Sequence, residues 1–93
     1  METSIAVHRA LEALAAAKRK WPGIVTDPMH LAAILAEECG EVAAACHDFT
    51  YCGRSRDQIA MEAAQVAAVA LRILENIELL KPRPDAGYGW RLP

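Results

Sequence analysis

The sequence predicts an all-α fold, and three observations lead to this prediction. The chain has 93 residues, of which 54% are hydrophobic but only 5% aromatic. Alanine dominates the apolar residues, which is typical of closely packed helices. The apolar residues also recur at helical spacing in three long runs, separated by segments that contain Pro or Gly. A chain of this length forms one domain with a modest core.

The first helix is predicted over residues 4–20, with Thr3 or Ser4 as its N-cap. Cations in a last turn complement the helix dipole, although contact with phosphate is an alternative role for them. The basic residues of this last turn are Lys18, Arg19 and Lys20. Trp21 follows directly, and we interpret it either as a packing plug at the helix end or as a surface on which a base stacks.

The second helix is predicted over residues 28–49. Asp27 is its predicted N-cap, and Pro28 suits the first helical position because its missing N–H is not needed there. Gly40 weakens the helix by about 1 kcal/mol relative to alanine, so we expect a backbone or a ligand to approach closely at this point. Asp48 is interpreted as a polar helix end, with a peripheral ligand as the alternative.

The third helix is predicted over residues 56–81, antiparallel to the second. Ser55 and Gln58 have the spacing of a capping box at its start. The all-α domain therefore spans residues 1–81, and residues 82–93 are predicted to form an extended tail. Two aromatic residues of this tail are expected to dock on a neighbouring subunit, namely Tyr88 and Trp90.

Oligomerisation is predicted from the same composition. Alanine faces bury little area each, and three helices leave one side of a bundle open. We therefore expect a homodimer or a homotetramer whose second copy completes the core.

Charge and hydropathy exclude several classes of function. The formal net charge of −2 and the pI near 5.9 argue against binding to a nucleic-acid polymer, which needs a basic surface. No apolar stretch has the ~20 residues of a membrane span, and the N-terminus lacks the pattern of a signal peptide. The sequence thus predicts a cytoplasmic protein that does not act at a membrane.

The cysteines and histidines of the chain show no pattern of a disulfide framework or of a zinc site. Cys39, Cys46 and Cys52 are interpreted as buried reduced thiols. A zinc site formed by Cys46, His47 and Cys52 lacks a fourth ligand at a standard spacing. We interpret all three histidines as residues of a helix surface or edge: His8, His30 and His47.

Three glutamates interrupt the apolar second helix, at Glu37, Glu38 and Glu41. Residues three or four apart lie on one helix face, so these carboxylates repel one another. An exposed glutamate pair is usually relieved by a nearby cation, but residues 21–53 contain no Lys or Arg. The counter-charge therefore has to come from elsewhere.

The third helix repeats this arrangement with Glu62 and Gln65 among apolar residues. Antiparallel packing of the second and third helices brings the two polar sets together. Converging carboxylates are costly unless they are paired or bound to a metal. Hard oxygen ligands favour Mg²⁺, with Mn²⁺ as an alternative. Three further residues of the third helix continue the stripe of Glu62 and Gln65 that is expected to face the site, namely Val69, Arg72 and Asn76.

The segments Glu37-Glu38-Cys39-Gly40-Glu41 and Met61-Glu62-Ala63-Ala64-Gln65 resemble the EExxE and ExxD motifs of the MazG-like all-α nucleoside triphosphate pyrophosphohydrolases. The resemblance covers roughly residues 28–80 and is closest to short, phage-type members. It implies a helical bundle completed by oligomerisation, in which Mg²⁺ is held between the motif acids. It also implies that water cleaves a nucleoside triphosphate to the monophosphate and pyrophosphate.

The resemblance assigns roles to individual residues. Glu38, Glu41 and Glu62 are the implied metal ligands, and Glu37 is an additional ligand or a base that orients water. Gln65 stands where the motif has Asp, and its amide oxygen coordinates Mg²⁺ without adding a charge. Further residues are candidates for contact with the substrate. The remaining phosphates are expected to contact Lys18, Lys20, Arg72 or Lys81. The base or sugar is expected to contact Asn76, and the base is expected to stack on Trp21.

Three interpretations of the function follow. The first is a Mg²⁺-dependent nucleotide pyrophosphohydrolase. The second is a noncatalytic helical interaction module derived from such enzymes, in which Gln65 is the sign of a dismantled site. A helical oligomer with merely solvated acids is a third, simpler interpretation.

Overall fold

A computed structural model describes residues 1–84 and shows three α-helices in this part of the chain. Helix α1 spans Thr3–Lys20, α2 spans Pro28–Cys52 and α3 spans Arg56–Glu75. A short 3₁₀ helix follows at Ile77–Leu79. The described residues include no strand, so the predicted all-α fold is confirmed. The predicted contacts of Tyr88 and Trp90 lie outside the described residues.

Helix α3 is the central element, because it packs against both α1 and α2. A three-residue turn connects α2 to α3, and its first residue, Gly53, has a φ of 67° that suits glycine. The turn is so short that α2 and α3 run antiparallel. The first turns of α2 thus lie beside the last turns of α3, where α1 also ends.

The ends of α1 and α2 follow different capping schemes. Glu2 is the N-cap of α1 and makes no side-chain capping bond, so the predicted cap at Thr3 or Ser4 was wrong. The Glu2 carbonyl already accepts hydrogen bonds from the next turn, which places Thr3 inside the helix. The predicted cap at Asp27 is confirmed, since its Oδ1 accepts a hydrogen bond from the Met29 N–H at 3.1 Å.

Helix α3 begins as predicted but ends six residues before residue 81. Its end has a local cause: the Asn76 side chain donates to the Arg72 carbonyl at 2.9 Å, while the Asn76 backbone leaves the helical conformation. At its start, Ser55 accepts a hydrogen bond from the Asp57 N–H at 3.0 Å. The predicted capping box is incomplete, because the Gln58 side chain instead donates to Glu62, one turn further on.

The described chain buries few side chains. Only Leu14, Ala45 and Ala68 are buried among residues 1–84, one from each helix. Many larger apolar side chains remain exposed, including Ile5, Leu11, Met29, Phe49, Tyr51 and Leu74. Such a core is thin for a chain of this size.

Two predictions about α2 were wrong, namely the burial of its cysteines and its end near residue 49. The three cysteines are free and exposed rather than buried, because α2 packs on α3 along one face only. A Cβ atom at Gly40 would meet nothing within 4 Å, so no described segment approaches it, and the approach of a ligand to Gly40 stays a prediction. Helix α2 also continues to Cys52 instead of ending near residue 49. None of the helices in residues 1–84 combines the length and hydropathy of a membrane span.

Candidate metal centre and adjoining cleft

Three carboxylates converge where α2 packs against α3. One oxygen from each of Glu38, Glu41 and Glu62 lies within 4.8 Å of the other two. Helical spacing places Glu38 and Glu41 on one face of α2, and the antiparallel packing places Glu62 of α3 opposite them. Glu41 is exposed, whereas Glu38 and Glu62 are half-buried. We call these three residues the carboxylate cluster.

The carboxylate cluster fits a small divalent cation. Mg²⁺ takes oxygen ligands at 2.0–2.1 Å in octahedral geometry, which separates ligand oxygens by about 3 to 4 Å. The observed separations are bounded by 4.8 Å, which is close to this spacing, and glutamate side chains have rotatable bonds. Within residues 1–84, no Lys, Arg or His forms a salt bridge with these glutamates. In this part of the chain the cluster therefore has oxygen donors and negative charge but no salt-bridge partner.

Electrostatic repulsion is visible at Glu41. A hydrogen bond with the Glu62 carboxyl raises the pKa of Glu41 above its ordinary value. The negative charge of Glu38, some loss of hydration, and the charges of Glu62 and Glu37 raise the pKa of Glu41 further. A proton relieves this repulsion in acid. A bound cation would do so at neutral pH.

Glu37 and Gln65 occupy different positions relative to the carboxylate cluster. Glu37 is exposed and lies outside it, so it acts on Glu41 through its charge. Gln65 is half-buried and lines the same cleft as the three carboxylates. Sequence reasoning missed one neighbour, Gln58, whose Nε2 donates to Glu62 Oε1 at 3.1 Å. Its i,i+4 spacing from Glu62 was the available signal.

A cleft of about 730 Å³ extends from the carboxylate cluster to the segment that connects α1 with α2. Its volume is within the range of small-molecule sites. Apolar residues of α2 and α3, such as Ile34 and Val69, form its middle. Its far end is lined by basic, aromatic and amide side chains: Lys20, Trp21, Arg72 and Asn76.

The predicted substrate-contacting residues are only partly brought together. Trp21, Arg72 and Asn76 all line the cleft, and the Trp21 side chain is 64% exposed. Lys18 does not line it, because its Nζ forms a salt bridge with Glu75 Oε2 at 2.8 Å. Lys20 lies at the cleft instead. The Lys18 charge is thus satisfied between α1 and α3.

Sequence reasoning also missed His30 and the connecting segment. His30, interpreted as a surface residue, lines the cleft together with Ile24 and Val25. For His30 a signal was present, since it precedes Glu38 by eight residues and so shares a helix face with it. For Ile24 and Val25 no periodicity was available, because they belong to no helix. Asp48 lies outside the carboxylate cluster and 3.4 Å from the His47 ring.

The described part of the chain is thus an all-α fold with a carboxylate cluster at one end of an amphipathic cleft. Comparison with protein-family models, with curated proteins and with solved structures gives no significant match.

Proposed function

We propose that this protein is a Mg²⁺-dependent nucleotide pyrophosphohydrolase of the MazG-like all-α kind, which cleaves a nucleoside triphosphate to the monophosphate and pyrophosphate. The convergence of Glu38, Glu41 and Glu62 at one end of a cleft is the observation that carries the proposal. Their separation in sequence makes this convergence a property of the fold rather than of one helix.

The chain's own residues divide the work between the two ends of the cleft. Glu38, Glu41 and Glu62 hold the cation, and the Gln65 amide oxygen is a neutral donor beside them. A bound Mg²⁺ neutralises phosphoryl oxygens and lowers the pKa of a water molecule. Glu37 supplies negative charge that favours cation binding. These groups place the triphosphate at the carboxylate end, with Mn²⁺ as an alternative ion.

The far end of the cleft suits the nucleoside. The exposed Trp21 ring offers a stacking surface for a base. Asn76 lines the same end of the cleft and is the proposed contact for base or sugar. Hydrolysis adds water across the α–β phosphoanhydride bond, so one oxygen enters the monophosphate and pyrophosphate leaves. A nucleic-acid polymer is not a proposed substrate, because the net charge of the chain is negative.

We further propose that a second copy, in a homodimer or homotetramer, covers the exposed apolar side chains. Residues such as Ile5 and Leu11 are each 49% exposed in the single chain, and their burial in an interface stabilises the assembly. Sedimentation at micromolar concentration measures the subunit number. A stable monomer under these conditions would refute this part of the proposal.

The enzymatic proposal is tested with a panel of nucleoside triphosphates in the presence of Mg²⁺ or Mn²⁺. We expect release of pyrophosphate and a monophosphate from at least one member, and no release after Glu41→Gln. Glu12→Gln is the matched control, because Glu12 is an exposed glutamate of α1 that pairs with His8 instead.

One observation favours a second candidate function, a noncatalytic helical interaction module. Gln65 lines the cleft where the family motif has an aspartate, so the site has one carboxylate fewer. If the unmodified protein cleaves no nucleotide while Gln65→Asp gains activity, the interaction module replaces the enzyme as the conclusion for the natural chain.

A further inference from the structure

The segment between α1 and α2 has almost no hydrogen bonds of its own. Residues 22–26 make no backbone–backbone hydrogen bond within the described chain. Pro22 contributes no N–H at all, and only Val25 of this segment is half-buried. A segment with so few internal contacts opens easily unless another element holds it.

Arg72 of α3 supplies these missing contacts. Its Nη2 donates to the Gly23 carbonyl at 2.8 Å and also to the Trp21 carbonyl, and its Nη1 donates to the Ala17 carbonyl at 3.4 Å. The planar guanidinium presents several donors in one fork, so a single side chain can reach three carbonyls. The carbonyl end of α1 also favours a cation.

We propose that Arg72 is a positioning residue that clamps the α1–α2 segment onto α3 and so holds Trp21 and Ile24 as a wall of the cleft. This role differs from the phosphate contact expected from the sequence. Asn76 Nδ2 donates to the Arg72 backbone carbonyl at 2.9 Å, which holds the backbone from which the Arg72 side chain extends. Binding of the nucleoside then depends on Arg72 without any contact between them, an effect that rests on the proposed function.

The clamp is tested by trypsin cleavage of the Lys20–Trp21 bond, with Arg54–Ser55 in the α2–α3 turn as an internal reference. We expect Arg72→Gln to speed cleavage after Lys20 by about tenfold or more, because it removes charge-assisted hydrogen bonds that keep the segment closed. Cleavage after Arg54 stays unchanged. Arg72→Lys keeps the positive charge but loses the forked set of donors. Its rate of cleavage after Lys20 should therefore lie between that of the unmodified protein and that of Arg72→Gln.

Glu75→Gln is the matched control, since it breaks the Lys18–Glu75 salt bridge at the same end of α1 without touching residues 21–26. Equal cleavage rates in Glu75→Gln and Arg72→Gln would overturn the clamp. Faster cleavage at both bonds in Arg72→Gln would show general destabilisation and also overturn it. Acrylamide quenching of Trp21 fluorescence, measured in a Trp90→Phe background, should increase in Arg72→Gln only.

Turnover provides a separate readout. With an active protein, Arg72→Gln should raise KM several-fold more than it lowers kcat, because the wall that binds the nucleoside is loosened while the carboxylates stay in place. A loss confined to kcat would contradict the positioning role. Proteolysis and quenching need no turnover, so the clamp stands or falls independently of the proposed enzyme activity.

Discussion

The two ends of the cleft differ in whether their charged side chains have partners within the chain. At the far end, Arg72 donates to backbone carbonyls of α1 and of the segment that follows it. Lys18, which lies outside the cleft, pairs with Glu75 and so also links α1 to α3. At the near end, Glu38, Glu41 and Glu62 have no cationic partner among residues 1–84.

This difference separates structure from function. A charged side chain that already has a partner within the chain stabilises that contact and needs no ligand to offset its charge. Unsatisfied carboxylates held close together lower the stability of the isolated chain and gain stability from any cation that they bind. The near end is therefore the candidate site for a cation, and the contacts that fix α1 onto α3 lie at the far end. The following predictions test this contrast, from the largest expected effect to the smallest.

Removing one carboxylate should have the largest effect. Glu41→Gln is expected to lower turnover by about 100-fold or more, because Glu38, the other carboxylate on that face of α2, already belongs to the cluster and does not replace it. Steady-state release of pyrophosphate measures the effect. Glu75→Gln, which removes a carboxylate at the far end, should leave turnover within about twofold of the unmodified protein. Comparable losses in both variants would refute the contrast.

Divalent metal should stabilise the fold through the near end only. At a Mg²⁺ concentration 100 times its Kd, binding adds about 2.7 kcal/mol, which corresponds to a rise in Tm of about 10 to 20 °C for a chain of this size. Thermal unfolding with and without Mg²⁺ measures this shift. The double variant Glu38→Gln/Glu62→Gln should show no shift, and an equal shift there would exclude the carboxylate cluster as the site.

Replacing the neutral Gln65 amide by a carboxylate should strengthen metal binding at the near end. Gln65→Asp is expected to lower the Mg²⁺ concentration at half-maximal activity by about tenfold, because a carboxylate replaces an amide dipole beside the cluster. Titration of activity with Mg²⁺ measures this change. Gln65→Ala serves as the opposite control and should raise the required concentration. An unchanged requirement in both variants would place Gln65 outside the coordination of the metal.

The smallest predicted effect concerns pH in the absence of metal. Because the pKa of Glu41 is raised in the folded chain above its ordinary value of 4.5, the folded state binds a proton more readily than the unfolded state. The resulting stability is present below the unfolded pKa and is lost as pH rises through the folded pKa.

Denaturant unfolding from about pH 4 to about pH 7 measures this loss. The difference between the unmodified protein and Glu41→Gln isolates the contribution of one residue, since all other groups are shared. Identical pH profiles would contradict the raised pKa. Added Mg²⁺ should reverse the trend in the unmodified protein, because the ion competes with the proton for the same carboxylates.

The sequence predicted what depends on periodicity and local chemistry. Each of the three helices follows from the spacing of apolar residues within its own segment. The Asp27 cap and the face shared by Glu38 and Glu41 likewise depend on neighbouring residues only. The length of α3 was overestimated because its apolar pattern continues past Asn76, whereas the Asn76 side chain bonds back to the Arg72 carbonyl and ends the helix.

Tertiary placement was harder to predict. Arg72 falls on the polar stripe of α3, which favoured a contact with substrate, but the carbonyls that it binds belong to a segment without any repeating pattern. The role of Lys18 also depends on a residue 57 positions away, Glu75. Such partners are fixed by how α1 lies on α3, which no local signal encodes.

Ala68 has a consequence for the space inside the cleft. It is the most buried of the three buried residues, at 1% exposed, and it also lines the cleft. The depth of the cleft at this point is therefore set by a side chain of a single methyl group that the core already encloses. A larger residue would overpack the core at a cost of about 1 to 3 kcal/mol. A substitution at Ala68 that changes the space for a ligand therefore also changes the stability of the fold. Substitutions of exposed residues at the rim of the cleft can change specificity without this effect on the core.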